Sequence, residues 1–328
     1  MQLDEHWYRT KRTWLSTVLS PLSLIFSTVV AVRQRLYANQ VKKTTHFPVP
    51  VIVVGNITVG GTGKTPFVIW LTQVLRELGY TPGIVTRGYG AKRRCAPKRV
   101  QENSDPEQVG DEAVLLQQRT QCPVVVGADR VKAVRLLLAE TACDIVISDD
   151  GLQHYRLGRT LEIALIDGER RFGNGLLLPA GPLREPITRL RQVDFTLCLG
   201  DAEPREYAMR LIGDTVYALQ DPTRQRKLSE FRGQAVHAVT AIANPERFFS
   251  TLASADLQLR KKTFRDHYLF QAADFIFADR EAIFITEKDA VKCQSFADER
   301  FWVLPVTAVL PEAFKQALQD KLQPRKTP

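Results

Sequence analysis

The chain has 328 residues, 44% hydrophobic and 25% charged, an ordinary globular composition with enough apolar material for one large core or two lobes. Its net charge of +9 favours an anionic partner: a phosphorylated substrate, a membrane surface or nucleic acid. The five cysteines (Cys95, Cys122, Cys143, Cys198, Cys293) are scattered and form no C-x-x-C pair, which speaks against a disulfide framework or structural zinc and for a reducing compartment.

The first feature is an uncharged stretch of twenty residues, Thr13 to Val32, flanked by Lys11, Arg12, Arg33 and Arg35. That matches the roughly 20 residues a helix needs to span a bilayer. Seven of the twenty are Ser or Thr, however, and Pro21 stands among them. At helical spacing Leu15, Leu19, Leu22, Phe26 and Val29 form one stripe, and Ser16, Ser20, Ser23 and Ser27 another. The pattern predicts a helix lying in the membrane interface, held to anionic lipid by its basic flanks. A helix buried in the fold and a true span are the alternatives. No A-x-A pattern follows to mark a cleaved signal.

Beyond it, short apolar runs alternate with helical patterns. "VPVIVVGN" reads as a strand, "PFVIWLTQVLRELG" as a helix, "TPGIVT" as a strand and "GDEAVLLQQRT" as a helix. "CPVVVGA", "DRVKAVRLLLAET" and "CDIVISDD" continue the alternation. Such β-branched runs predict an α/β fold with a parallel sheet sandwiched by helices. Past residue 160 the strand-like runs "LEIALIDG", "DFTLCLG", "AVHAVTAIA", "AIFITEKDA" and "FWVLPV" are separated by Gly/Pro-rich stretches. They suggest a second, smaller α/β lobe. The expected organisation is a membrane-associating helix over 1–36, a P-loop core over 37–158 and a second lobe over 159–328, whose last strand and helix are free to pack back on the core.

"TVGGTGKT", Thr58 to Thr65, follows the first strand and opens the next helix. It fits the P-loop pattern G-x-x-x-x-G-K-[ST] except that Thr58 holds the first Gly position. Val59, Gly60, Gly61, Thr62 and Gly63 would turn backbone N–H groups toward phosphate. Lys64 would reach the β/γ-phosphates, and Thr65 would offer its hydroxyl to Mg²⁺. Asp149 and Asp150 end an apolar strand, where a P-loop fold holds a metal carboxylate; Asp167 has the same strand-then-Asp form. From an extended backbone only one of the adjacent pair would face the metal. Asp111 follows Gly110 at a helix start, as a cap or as the base for an acceptor hydroxyl. His267 is a second acid–base candidate, and Gln153 and His154 accompany the Asp pair. Among basic residues, Arg87, Arg130 and Arg184 stand beside motif-like Gly, Asp and Pro, unlike Lys92, Arg93, Arg94 and Arg156, which suits phosphate contacts.

Taken together, "VGGTGKTP", "TRGYG", "VGDEA", "DDGLQH", "LPAGPLREP" and "FRDHY", with the oily N-terminal helix, closely resemble the tetraacyldisaccharide 4′-kinases, the membrane-associated kinases of lipid A biosynthesis. The resemblance implies two α/β lobes, ATP with Mg²⁺ as donor, and as acceptor the 4′-hydroxyl of an acylated disaccharide 1-phosphate. It implies work at the cytoplasmic face of the bacterial inner membrane, with the protein peripheral or monotopic. It also implies that Asp111 and His267 form an acid–base pair with Asp111 as base, and that Arg130, Gln153, Arg184 and Glu185 lie around substrate and phosphate. No obligate protein partner is expected. The rival reading is a membrane-bound P-loop ATPase acting as a switch or positioning module. A nucleic-acid partner is not expected, since no basic stripe is interleaved with stacking aromatics.

Overall fold

The structure is a computed structural model that describes residues 6–9, 13–91 and 96–322. Lys11, Arg12, Lys92, Arg93, Arg94 and Cys95 lie outside the described residues.

Helix α1 (Trp14–Ala38) begins where the Thr13 hydroxyl accepts the Ser16 N–H at 3.3 Å. Its faces are reversed relative to a helix packed on a water-soluble core. Ser16 and Ser23 are its buried residues. Ser23 Oγ donates to the Leu177 carbonyl at 2.7 Å and accepts the Ala180 N–H at 2.9 Å, and Ser16 Oγ accepts from Asn174 Nδ2 at 3.1 Å. The outward stripe is Val18, Leu22, Ile25, Val29 and Val32, between 48% and 64% exposed. One expectation is corrected: Leu15, Leu19 and Phe26 lie half-buried beside the serines instead of sharing the outward stripe with Leu22 and Val29. The alternative of a helix buried in the fold does not hold. The physical reason is the polar loop at 174–180, whose backbone groups need partners that the serine hydroxyls supply. By length and composition α1 is able to cross a membrane.

The chain then runs β1 (Val51–Gly55), α2 (Lys64–Glu77), β2 (Pro82–Thr86), β3 (Lys98–Val100), α3 (Pro106–Val109), α4 (Asp111–Thr120), β4 (Val124–Val126), α5 (Arg130–Glu140) and β5 (Ile145–Ser148). Strands β6 (Leu161–Asp167), β7 (Phe195–Leu199), β8 (Tyr207–Ile212), β9 (Thr215–Ala218), β10 (Gln225–Lys227) and β11 (Ala235–Thr240) follow. The remainder is α6 (Pro245–Ser254), β12 (Gln258–Thr263), β13 (Ile283–Thr286), α7 (Glu287–Cys293), β14 (Phe301–Leu304), β15 (Thr307–Val309) and α8 (Glu312–Leu322).

Among the described residues, nine strands form one sheet in the order β15-β8-β7-β6-β1-β5-β2-β4-β3, and six form a second in the order β10-β9-β14-β13-β11-β12. The first sheet is parallel from β8 to β4, with antiparallel strands at both edges. Every residue of β1 is buried, as a continuous apolar run in a sheet covered on both faces requires. Phe67, Leu71 and Leu116 pack on one face, and Val131, Val134 and Leu137 on the other. The second sheet likewise carries apolar clusters on both faces, around Phe249 and Phe284 on one and Phe275 and Phe301 on the other.

The change of sheet falls after residue 212, not at 158. Strands β6 to β8 extend the first sheet, because the Gly/Pro-rich run after β6 is a loop packed on α1 and on the P-loop, not a linker. Val59 N–H donates to Pro182 O at 2.8 Å across that contact. After the second sheet the chain returns: β15 pairs with β8, and Phe314 of α8 sits among Phe67, Trp70, Phe195 and Tyr207 with ring centroids 5.1–6.1 Å away.

Gly110 joins α3 to α4 at φ 91°, and a Cβ there would lie 2.5 Å from the Tyr89 carbonyl. Any side chain would be strained and would push the 86–90 loop from the α4 start. Gly110→Ala is expected to destabilise the protein by about 1–3 kcal/mol, the range for strained backbone, seen as a lower thermal midpoint; an unchanged midpoint would show that the loop yields freely.

Candidate active site

Parallel strands with the central pair β1 and β5 bring two loops together at their carboxyl ends, the place where open α/β sheets bind ligands. One is the P-loop. Gly63, at φ 81°, turns the chain into α2, and a Cβ there would be 2.8 Å from Met209 Cε. Pro66 sits in the first turn of α2, where no N–H is needed. Thr58 is buried and bridged to Leu183, and the Tyr8 hydroxyl donates to Val59 O at 2.8 Å. The Thr62 hydroxyl is buried without a hydrogen-bond partner among the described residues.

The other loop follows β5. Asp150 has φ 48°, so the strand has ended and the alternation expected for adjacent side chains does not apply. Lys64 Nζ stands 3.8 Å from Asp150 Oδ1 and donates to Asn56 Oδ1 at 3.1 Å. Arg184 Nη1 reaches both Asp150 oxygens at 3.1 and 3.2 Å. Burial opposes the Asp150 charge, but Lys64, Arg184 and Arg130 outweigh it and hold the carboxyl down at about 2. Asp149 is fully enclosed. Its Oδ2 accepts from the Thr86 hydroxyl at 3.0 Å, while its Oδ1 has no partner among the described residues. Burial first, and then the Glu112 charge, push the Asp149 carboxyl up.

A buried carboxylate oxygen without a donor, beside an ionised Asp150, fits a divalent cation with oxygen ligands. Asp167 does not join this site: it accepts from Arg247 Nη2 at 2.7 Å and from the Glu169 and Arg170 N–H groups at 3.1 Å. A further cluster, His237, Asp279 and Glu281, has ligand atoms within 4.8 Å of one another. There Arg260 already pairs with both carboxylates and supplies the cation.

Asp111 and His267, 156 residues apart, meet across the two sheets: His267 Nδ1 lies 2.9 and 3.1 Å from the Asp111 oxygens. Asp111 caps no more distant N–H of α4; besides His267, its Oδ1 accepts the adjacent Glu112 N–H at 2.8 Å. Burial works against its charge, but the His267 hydrogen bond and the Lys288, His267 and Lys292 charges hold its carboxyl below the ordinary value. The Tyr89 ring lies 4.7 Å from the His267 ring, and the pair opens into a small cleft lined by Gly90, Pro106, Leu269 and Lys292.

The remaining candidates divide. Gln153 Nε2 donates to the Asn56 carbonyl at 3.0 Å, beside the P-loop lysine. Arg130 is buried, and its Nη2 donates to the Asp149 carbonyl at 3.1 Å, so it braces the carboxylate turn from within. Burial brings its guanidinium down to about 10, against the pull of Asp149 and Asp150. Glu185 is also buried; it accepts from the Tyr155 hydroxyl and lies 3.5 Å from Arg189 Nε. Burial pushes its carboxyl up to about 7. Arg87 and Tyr89 are exposed at the loop.

Four residues of this site were not singled out from the sequence. Asn56, entirely buried, donates to Thr58 O at 2.8 Å while accepting from Lys64. Glu112, Lys288 and Lys292 make the charged contacts around Asp111. The legible signals were the polar residue in "VGNITVGG" and the Lys pair at i, i+4 in "TEKDAVKC".

Comparison with known proteins gives a consistent family. The family model described as Tetraacyldisaccharide-1-P 4'-kinase matches residues 15–323. A Coxiella burnetii protein named Tetraacyldisaccharide 4'-kinase is 50% identical over 315 residues, covering 96% of this chain and 93% of its own. Its namesake from Nitrosococcus oceani is 48% identical over 319 residues, covering 97% and 93% respectively. A crystal structure of LpxK from Aquifex aeolicus in complex with ATP matches with a TM-score of 0.77 at 28% identity, covering 94% of this chain and 99% of that one. On these matches, which span nearly its whole length, the chain belongs to the Tetraacyldisaccharide-1-P 4'-kinase family.

Proposed function

We propose that this chain transfers the γ-phosphoryl group of ATP to the 4′-hydroxyl of a tetraacyldisaccharide 1-phosphate, giving the bis-phosphorylated lipid A precursor. The observation that carries the reading is the convergence of a P-loop lysine on strand-end carboxylates, next to an Asp111 kept ionised by a partner from the other sheet. In the transfer, the 4′-oxygen bonds to the γ-phosphorus as the bridge to the β-phosphate breaks; the hydroxyl proton passes to Asp111 and ADP departs. Lys64 reaches phosphate oxygens from the helix start, and the Thr62 hydroxyl, buried and unpartnered, is available to the same oxygens. Asn56 holds the lysine in place and tethers the loop. Thr65, Asp149 and Asp150 would hold Mg²⁺, which when bound neutralises charge on the phosphates. Arg184 is placed to follow the phosphate by exchanging one oxyanion partner for another.

The acceptor is an amphiphile, and the outward apolar face of α1 supports contact with the bilayer that holds it. Four acyl chains need not leave the lipid if the enzyme comes to them, and at about 0.8 kcal/mol per CH₂ complete extraction would be prohibitive. The nucleotide is drawn from the cytoplasm, so the working position is the cytoplasmic face of the inner membrane.

Lys64→Ala is expected to reduce label transfer from γ-labelled ATP to the acylated disaccharide 1-phosphate by about 10²-fold or more, the scale of lost transition-state charge stabilisation, with circular dichroism unchanged. Wild-type transfer in that variant would remove the P-loop from the reaction, and label appearing only as free phosphate with wild-type protein would favour an ATPase. Asp111→Asn should lower kcat by about 10²-fold or more while nucleotide binding persists; a change in thermal midpoint alone would make Asp111 structural. The double change Leu22→Asp, Ile25→Asp should weaken flotation with anionic vesicles at least about tenfold, since two apolar contacts worth about 1.5–3 kcal/mol each are lost. Undiminished flotation would locate the membrane contact elsewhere.

A further inference from the structure

Helix α7 presents Lys288 and Lys292 to the start of α4. Lys292 Nζ lies 2.9 Å from Asp289 and 3.7 Å from Asp111 Oδ2. Lys288 Nζ lies 3.1 Å from Glu112, 3.1 Å from Asp266 Oδ1 and 3.2 Å from His267 Nε2. The last contact has only one chemically acceptable form. An ammonium group carries donors and no acceptor, so Nε2 must receive the hydrogen bond with its lone pair. The ring proton then sits on Nδ1, where it donates to Asp111 at 2.9 Å. The opposite tautomer would set an N–H against an ammonium and an unprotonated Nδ1 against a carboxylate, donor to donor and acceptor to acceptor.

Resting on the reading of Asp111 as base, we propose that Lys288 is a positioning residue that fixes His267 as the neutral Nδ1–H tautomer. In that state His267 can only give a hydrogen bond to Asp111, and the one group of the pair able to take the acceptor's proton is the carboxylate. Lys288 acts through His267 and Glu112 and touches no reacting atom.

Every element around the ring bears on this assignment. Asp111 and Glu112 approach from α4, Lys288 and Lys292 from α7, and Tyr89 from the loop after β2. Asp266, on the ring's own loop, has Oδ2 3.6 Å from Nε2, beyond hydrogen-bond length, and its other oxygen is taken up by Lys288. Burial disfavours the charge on Lys288, but the Glu112, Asp111 and Asp266 carboxylates outweigh it and keep the ammonium firmly protonated. His267 itself has φ 60°, a left-handed backbone rare for a residue of this size, which aims the ring between the two partners. Without Lys288, Nε2 would face the Asp266 carboxylate alone, and a second ring proton would find an acceptor there.

The test reads the ring directly, by isotope-edited NMR of the histidine nitrogens in the full-length protein, with His267→Gln to assign the signals. The wild-type spectrum is expected to show a protonated Nδ1 and a bare Nε2. Lys288→Met should abolish that signature and move the acid limb of the kcat–pH profile upward by about one unit, as expected when a nearby cation is withdrawn from a carboxylate. Lys288→Arg, which keeps charge and donor, should retain both. A protonated Nε2 in the wild type would overturn the proposal without any variant having to fold. So would a Lys288→Met protein with unchanged ring signals and an unchanged acid limb. The ring signature needs no turnover, so its outcome is separate from that of Asp111→Asn, which tests the base assignment itself.

Discussion

A charge withdrawn from water must find an opposite charge or a full set of hydrogen bonds, since leaving it unpaired costs several kcal/mol. The region between the two sheets concentrates this requirement. Asp111, Asp149, Asp289 and Glu287 are all buried, and Asp150 is nearly so. Lys64 and Arg184 answer Asp150, Lys292 answers Asp289 and Asp111, and Arg119 answers Glu287. Two of these pairs, Lys292 with Asp111 and Arg119 with Glu287, join the lobe of the first sheet to that of the second. The lobes are therefore held partly by the charges that surround Asp111, and parting them would leave those charges unpaired at a penalty. Asp149 Oδ1 is the exception among these, an acceptor with no donor among the described residues.

Much of this was legible in residue order. The P-loop, the strand preceding it and the Asp pair at the end of a neighbouring strand are local patterns, and local patterns survive without tertiary knowledge. The parallel sheet follows from continuous β-branched runs for the same reason. Pairings between distant segments were not legible from spacing. Nothing in "VGDEA" or "FRDHY" taken alone says that Asp111 and His267 touch; that expectation came from family resemblance. Strands β6 to β8 were placed in the wrong lobe because sheet membership depends on which edge is free when the strand arrives. Asn56 escaped notice since a buried amide is identified by its partners, not by its neighbours in sequence.

The first helix shows the same limit from the other direction. Periodicity located two stripes and put a serine row on one of them, but the usual assumption that the apolar row faces protein would have rotated the helix incorrectly. The polar loop at 174–180 decides the rotation, and it lies more than a hundred residues away.

Ser23 grips the backbone on both sides of the loop at Leu177 and Ala180, and Pro182, two residues on, receives the Val59 N–H of the P-loop. With its outer face in a bilayer, as proposed above, α1 would act as a gauge of height. The serines hold the 174–180 loop on the opposite side of the helix, so the phosphate cradle would stand above the hydrocarbon by a height set by the helix's own thickness, about 10 Å. The sugar hydroxyl of a membrane lipid also has a set elevation, dictated by its own acyl chains. Two independently anchored molecules would thus meet at a common level, where lateral diffusion in two dimensions is enough to bring them into register.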